Sequence, residues 1–392
     1  VERLRRQLLA FLRDPLLRSA LTLHATTEAI TRSSHPDQAV LWLVTALQHA
    51  LDDRTTSEER AQILMRSSAF ELAHMIQAVA QRKNRRRILR LIRAIDGVLD
   101  RLLQIGLDPE RSPEERVGAL LVLGAATEAV YCLDLERAPE AVALLRRLAP
   151  HGPKLLKNAL TCQDEDLRWS FFWMLENLAL ETLEIPNLVG QEFWDQVMQH
   201  ASELLSVFLD APEARGEQLA AARILSSTAI HHLPLPDSAQ GLDLAQTLLQ
   251  RASRLLECGL SGNNATAREL ALRLLTYALI PSEERPPLPE AVNAVRYITE
   301  RLNQLVNIVL DADAAERLRA AATALIAASY SLAVLSDLEE LQVVRQTFRQ
   351  VLTTSDLQNV LRQLATGDVH IFLRQTARIL LSIIQATQEE KN

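Results

Sequence analysis

The sequence predicts an all-α protein, an α-solenoid of stacked helical hairpins, and three observations carry that prediction. A helical phrase recurs about every 50 residues along the 392-residue chain, the mark of an array in which each repeat is one supersecondary unit. Hydrophobic residues make up 48% of the chain but aromatics only 4%, with Leu and Ala dominant, which suits many similar helix contacts better than a β-rich core. No proline lies between Leu41 and Asp108, and none follows Pro289, so both stretches can hold unbroken helices.

The phrase is a Leu-Asp step, an Arg about nine residues past the Leu, and an apolar helical run. It opens in truncated form around Leu12-Arg13-Asp14. Full copies stand at Leu51-Asp52 with Arg60 and at Leu107-Asp108 with Arg116. Variants follow at Leu160-Thr161 with Arg168, Leu209-Asp210, Leu260-Ser261 with Arg268, and Leu310-Asp311 with Arg317 and Arg319. A degenerate copy runs from Leu364 through Asp368 to Arg374. Each repeat reads as a long first helix, a short polar break and a second helix. The Arg falls in the first turn of the second helix, where a lone cation opposes the helix dipole. Its expected role is structural, bonded to carbonyls or to the turn Asp of an adjacent repeat, with some anionic contact expected.

Helix signals mark the breaks. Ser112-Pro113-Glu114-Glu115 combines a capping box with Pro at the first helical position. Thr56-Ser57-Glu58-Glu59 and Asp313-Ala314-Ala315-Glu316 are similar, Asn264 is placed to cap the helix from Ala265, and Asp164-Glu165-Asp166 suits a helix N-terminus. Between pairs the breakers are Ser34-His35-Pro36, Ala138-Pro139, Pro186-Asn187, Pro234-Leu235-Pro236 and Pro286-Pro287-Leu288-Pro289. The helices carry wide apolar faces: Ile88, Leu91, Ile92, Ile95, Val98, Leu99, Leu102 and Leu103 follow helical spacing.

This periodicity resembles the armadillo and HEAT families of α-solenoids, and as architecture the resemblance covers nearly the whole chain. It implies a right-handed superhelical α-solenoid of about seven to eight repeats. The expected organisation is one continuous array, with a truncated N-terminal capping repeat over 1–35, main repeats over 36–336 and a C-terminal capping repeat over 337–392. Trp173 and Asn177, four residues apart on one helical face, resemble the Trp–Asn ladder with which nuclear-import armadillo proteins clamp an extended peptide. In that ladder the Asn amide bonds the peptide backbone and the Trp rings flank its side chains. This chain has the pair in one repeat; the matching positions are Met65 and Ala69, Leu121 and Ala125, Arg273 and Tyr277, and Ile379 and Ile383.

Two features stand out as candidate sites. The aromatic cluster Trp169, Phe171, Phe172, Trp173, Phe193 and Trp194 fills either a core gap between repeats or a pocket for a partner side chain. The expectation at residue level is a structural Trp169 and a surface Trp173, with partner binding by Trp173, Asn177, Arg273 and Tyr277. The basic run Arg82, Lys83, Arg85, Arg86, Arg87, Arg90 and Arg93 puts Arg86, Arg90 and Arg93 on one helical face. It reads either as a solvated face or as an anion site, since positive charge near a helix start is unfavourable without an anion. No aromatic is interleaved with it, which disfavours base stacking.

The charge is uneven. Residues 1–101 carry +6 and the remainder −13, within a net charge of −7. Cys132, Cys162 and Cys258 form neither a CxxC pair nor a disulfide framework, which points to a reducing, cytoplasmic setting. The longest uncharged run, Ala320 to Ser336, reads as a buried helix rather than a membrane span, and no signal-peptide pattern is present. No metal-ligand spacing, phosphate loop, dinucleotide fingerprint or nucleophile elbow occurs, so neither metal nor cofactor is expected. The leading functional expectation is a non-catalytic scaffold or adaptor that binds a partner protein or peptide along its surface. The alternatives are phosphate or nucleic-acid binding through the Arg82–Arg93 stripe, and an enzyme built into the groove, as in HEAT-like DNA glycosylases and bilin lyases.

Overall fold

The computed structural model describes residues 36–65, 67–68, 85–130, 133, 138–181, 185, 188–210, 216–232, 239–280, 287–336 and 338–389. Among them there is no strand. The chain divides into two compact units, one of Val1–Gln196 with Pro212–Ala220 and the other of Val197–Ala211 with Ala221–Asn392.

The first unit opens with α1 (Pro36–Ala50) and a helix α2 over 57–65 and 67–68. From there helices come in threes: α3 (Arg85–Asp96), α4 (Leu99–Leu107) and α5 (Pro113–Val130), then α6 (Pro139–Leu148), α7 (Gly152–Thr161) and α8 (Glu165–Glu181). Next are α9 (Gln191–Gln199), α10 (Ala201–Asp210) and α11 (Glu217–His232), which carry the boundary between the units. The second unit continues with α12 (Ala239–Gln250), α13 (Ala252–Ser261) and α14 (Ala265–Leu279). Then come α15 (Pro289–Glu300), α16 (Leu302–Leu310) and α17 (Glu316–Leu335), and α18 (Gln342–Leu352), α19 (Ser355–Thr366) and α20 (Ile371–Glu389). Within each unit successive layers pack on one another through their third helices.

The third helix of each layer is the core. Residues 171–179 of α8 are all buried, as are 121–128 of α5. A helix apolar on every side must be sandwiched. Accordingly α8 packs on α5 and on its own α7, and α17 lies between α14 and α20 with α16 on a further side. That helix contains the run expected to be buried. By length and composition α17 is apolar enough to cross a membrane, but 72% of its apolar window is inside the protein.

The expected long first helix is broken in two. At Val98 (φ −122°, ψ 8°), Arg251 (φ −106°, ψ 16°) and Arg301 (φ −108°, ψ 8°) the backbone leaves the α region for the bridge region and a new helix starts. Between α6 and α7 a short 3₁₀ turn, Ala149–His151, contains Pro150, which lacks the N–H a continuous helix would use. Packing explains the breaks. The first half meets the neighbouring layer, as α3 meets α1 and α6, and the second half lies on its own layer's core helix, as α4 lies on α5. One straight rod cannot follow both directions. The second halves press close: a Cβ on Gly259 of α13 would sit 2.3 Å from Leu272 Cδ2 of α14.

The recurring Arg ties the end of the preceding helix to its own helix in four of the layers. Arg60 donates from Nε to Ala50 O (2.8 Å) and from Nη2 to Thr55 O (3.0 Å) and Asp52 O (3.2 Å). Arg116 reaches Gly106 O, Arg268 reaches Gly259 O and Leu260 O, and Arg319 bonds Val309 O twice. These are carbonyls from the last turn of the preceding helix or just beyond it, which have no partner inside that helix. Two of the arginines also meet a carboxylate of the next layer: Arg60 Nη1 to Glu115 Oε1 at 2.5 Å and Arg168 Nε to Glu217 Oε2 at 3.0 Å. The anionic contact expected from the dipole argument is therefore present at these positions.

Most of the capping signals form as read. Ser112 and Glu115 exchange backbone-to-side-chain bonds of 3.3 Å in a closed capping box. Asp164 Oδ1 accepts from Leu167 N, Thr56 Oγ1 from Glu59 N, and Asn264 Oδ1 from Thr266 N and Ala267 N. The box expected at Asp313 does not form. Ala315 is the N-cap of α17 without a side-chain bond, and Glu316 instead accepts from His370 N of the following layer.

Candidate partner-binding surface

The predicted contact residues all belong to the core helices α8 and α14, and only the pair on α14 lies on a partly open stripe. On α14 this stripe runs through Arg273, Thr276 and Tyr277 to Ile280, which is 51% exposed just past the helix end. On α17 the equivalent stripe is Ala324, Ala328 and Ser331, ending at Leu335, 70% exposed. Since α14 and α17 pack side by side, the two stripes adjoin.

On α8 the stripe is closed, and here the expectation is corrected. Trp173 is buried, not surface-exposed, and Trp169 is the half-buried ring of the two. They stack with centroids 5.3 Å apart and planes 21° from parallel. The ring of Trp173 lies against Gly124 of α5, so close that a Cβ there would be 2.6 Å from Trp173 Cε3. Asn177 is fully buried as well. Its Nδ2 donates to Thr127 Oγ1 (2.9 Å) and Gly124 O (3.3 Å), both on α5, and its Oδ1 is buried with no hydrogen-bond partner. The amide that would have gripped a peptide backbone is used to join two layers. Phe171, Phe172, Phe193 and Trp194 are buried too, so this aromatic cluster fills core.

Arg273 and Tyr277, at the positions matching Trp173 and Asn177, form a polar rung. Arg273 Nη2 donates to Tyr277 Oη at 2.8 Å, Nη1 to Glu269 Oε1 at 3.3 Å, and the guanidinium carbon lies 5.8 Å from the Tyr277 ring centroid. Burial works against the Arg273 charge, but Tyr277 and Glu269 outweigh it and hold its pKa above the usual value. Glu269 was not singled out in the sequence. Its signal is the spacing of four residues to Arg273 on a helix.

The basic run is placed in part. Arg82 and Lys83 lie outside the described residues. Arg85, Arg86 and Arg87 form the first turn of α3, and Arg90 and Arg93 are exposed. Arg93 is paired with Glu140 of α6, in the next layer. Such clasps recur on the outer helices. Arg147 of α6 bonds Asp96 Oδ1 (2.6 Å) and Asp100 Oδ1 (3.0 Å), and Arg296 of α15 meets Glu340 Oε2 (2.5 Å). Each joins residues about one period apart, so part of the basic run serves stacking. Cys162 and Cys258 are free, half-buried thiols, and burial pushes the Cys258 thiol up despite Arg268 nearby, which makes it a poor nucleophile. Cys132 lies outside the described residues. Among the described residues no group of three His, Cys, Asp or Glu side chains is placed to hold a metal.

No family model matches this chain, and no curated protein does. Among solved structures, it is similar to the karyopherin Kap121p bound to the SUMO protease Ulp1p, at 11% identity and a TM-score of 0.29, over 96% of this chain and 44% of that one. Human deoxyhypusine hydroxylase in complex with glycerol gives 13% identity and a TM-score of 0.24, over 89% and 97%. A microtubule polymerase with tumor overexpressed gene domain arrays, in a study of tubulin recruitment, gives 10% and 0.19, over 88% and 96%. The chain spans less than half the length of the karyopherin.

Proposed function

We propose that this chain is a non-catalytic interaction scaffold that holds an extended segment of a partner protein against the strip formed by α14 and α17. The observation that carries the reading is the rung of buried Glu269 with half-buried Arg273 and Tyr277, on a helix packed against the one that carries the small, half-buried Ala324, Ala328 and Ser331. Arg and Tyr supply much of the binding energy at protein interfaces. Here the Arg is already fixed by both neighbours, so ordering it on binding costs little further entropy. The Ala and Ser positions leave room for a backbone to approach, and exposed Leu335 and Ile280 offer apolar contact at the end of the strip. The free thiols of Cys162 and Cys258 support a reducing compartment as the place of action.

The Arg82–Arg93 stripe is not the proposed contact, because Arg93 already has a carboxylate across the layer. The test is affinity capture from the source cells with mass spectrometry, comparing the parent with Arg273→Ala and Tyr277→Ala. We expect specific partners to be retained by the parent and reduced about tenfold or more by either change, with circular dichroism intact in both variants. The same proteins captured equally by parent and variants would sink the strip as the contact surface.

A further inference from the structure

In the second unit a cavity of about 820 Å³ opens between the C-terminal half of α17, helix α18 and the end of α20. It falls in the range of small-molecule sites. Its lining is mainly polar and, among the described residues, holds two arginines, Arg345 and Arg349, and no carboxylate. Gln342, Gln346 and Gln350 line it from the same helix, and Tyr330 and Thr387 close the opposite side.

The two arginines differ. Arg345 is occupied: its Nε donates to Ala333 O at 2.5 Å and its Nη2 bonds Ser336 O, so it caps the end of α17. Arg349, one turn further along α18, is half-buried, and its Nε is buried with no hydrogen-bond partner. Its guanidinium enters no ion pair among the described residues. The Tyr330 hydroxyl donates to Thr387 Oγ1 at 2.9 Å, and Thr387 donates onward to Ile384 O, so the two are bonded to each other and to α20 and not to Arg349 Nε. A desolvated charged donor without an acceptor is costly, and a guanidinium matches the paired oxygens of an anion in geometry as well as charge.

We propose that this cavity binds a small phosphate-bearing molecule, with Arg349 as the anchor. Two guanidinium charges, with no carboxylate among the described lining residues, favour a dianion over a monoanion, and a phosphate monoester carries about −1.5 to −2 at neutral pH. The glutamine amides of α18 supply further donors and acceptors for the rest of the molecule. The site does not involve the α14–α17 strip and stands independently of the scaffold reading.

The experiment is isothermal titration of the full chain, at constant ionic strength, with inorganic phosphate, glycerol 3-phosphate and, as a carboxylate probe, succinate. Arg349→Gln removes the charge, and Gln346→Glu places a carboxylate in the lining. Arg362→Gln, on the exposed face of α19, is the control. We expect saturable phosphate binding that weakens about tenfold or more in either cavity variant and is unchanged in the control, with circular dichroism intact in all three. Tighter binding of glycerol 3-phosphate than of inorganic phosphate identifies an organic ester as the ligand class, and equal binding identifies free phosphate. Phosphate binding that is absent in the parent, or equal in parent and cavity variants, overturns the proposal, as does Arg349-dependent binding of succinate alone.

Discussion

Arg60 and Glu115 show how one side-chain pair ties local capping to the stacking of layers. Both are buried, and Glu115 also closes the capping box of α5, so one carboxylate serves its own helix and the preceding layer. Burial alone would push the Glu115 carboxyl up; the bonds from Arg60, Ser57 and Ser112 hold it below the usual range. Glu115→Gln should therefore cost about 3–5 kcal/mol near neutral pH, because it leaves a buried guanidinium without its counter-charge. The folded-state pKa lies below the unfolded value of about 4.3, so this stability is present above that value and is lost as pH falls through the lowered one. The gap between denaturant curves of parent and variant should narrow progressively as pH falls below about 4, and a constant gap down to about pH 2 would contradict the pairing. At the aromatic cluster, Trp173→Ala should cost about 3–5 kcal/mol and Asn177→Ala about 1–2, read by the same unfolding curves. The role of the Arg was legible because it recurs with the period and sits where the dipole calls for an anion. The burial of Trp173 was not, because the surface that receives it is Gly124 on the preceding layer, and nothing local to α8 says which face meets α5.

At the scale of the helix, starts were legible and bends were not. Ser112, Asp164 and Asn264 announce helix beginnings through their own backbone bonds, which are local events. The breaks at Val98, Arg251 and Arg301 have no residue type common to all three; what they share is a position between two packing directions, set by helices far away in the chain. The close approach of α13 to α14 likewise rests on a glycine whose reason appears only in three dimensions. Gly259→Ala would improve helix propensity by about 1 kcal/mol. It should still destabilise the protein by about 1–3 kcal/mol, because the added methyl overlaps Leu272. Chemical denaturation measures the sign, and a more stable variant would show that α13 can move away freely.

At the scale of the molecule, stability is distributed rather than central. The middle of α17, flanked on both sides, is largely buried, whereas α20 leaves Phe372 61% and Ile379 55% exposed. In stacked arrays stability approximates a sum of layer and neighbour terms, so outer layers open first. Backbone amides in the middle of α17 should exchange about tenfold or more slowly than those of α20 in hydrogen-exchange mass spectrometry. Equal protection would mean that the unit opens as one block. The helical class and the period were readable from the whole chain at once, because a repeated pattern survives local degeneracy. The cavity beside Arg349 was not, since its walls come from three helices whose spacing no sequence pattern encodes.

The link from Arg60 to Glu115 has a consequence for how the protein is made. The two residues are separated by 55 positions, so the guanidinium leaves the ribosome well before its carboxylate exists. At elongation rates of about 5–20 residues per second, that delay is roughly 3–11 s. During it, the layer closed by Arg60 has its own carbonyl bonds available but lacks the ion partner and the covering helix that complete it. Growth is therefore directional: each layer waits for its successor, and the nascent end is an open apolar face. A message that stops in mid-array leaves a chain with that face permanently uncovered, a natural substrate for chaperones and proteases.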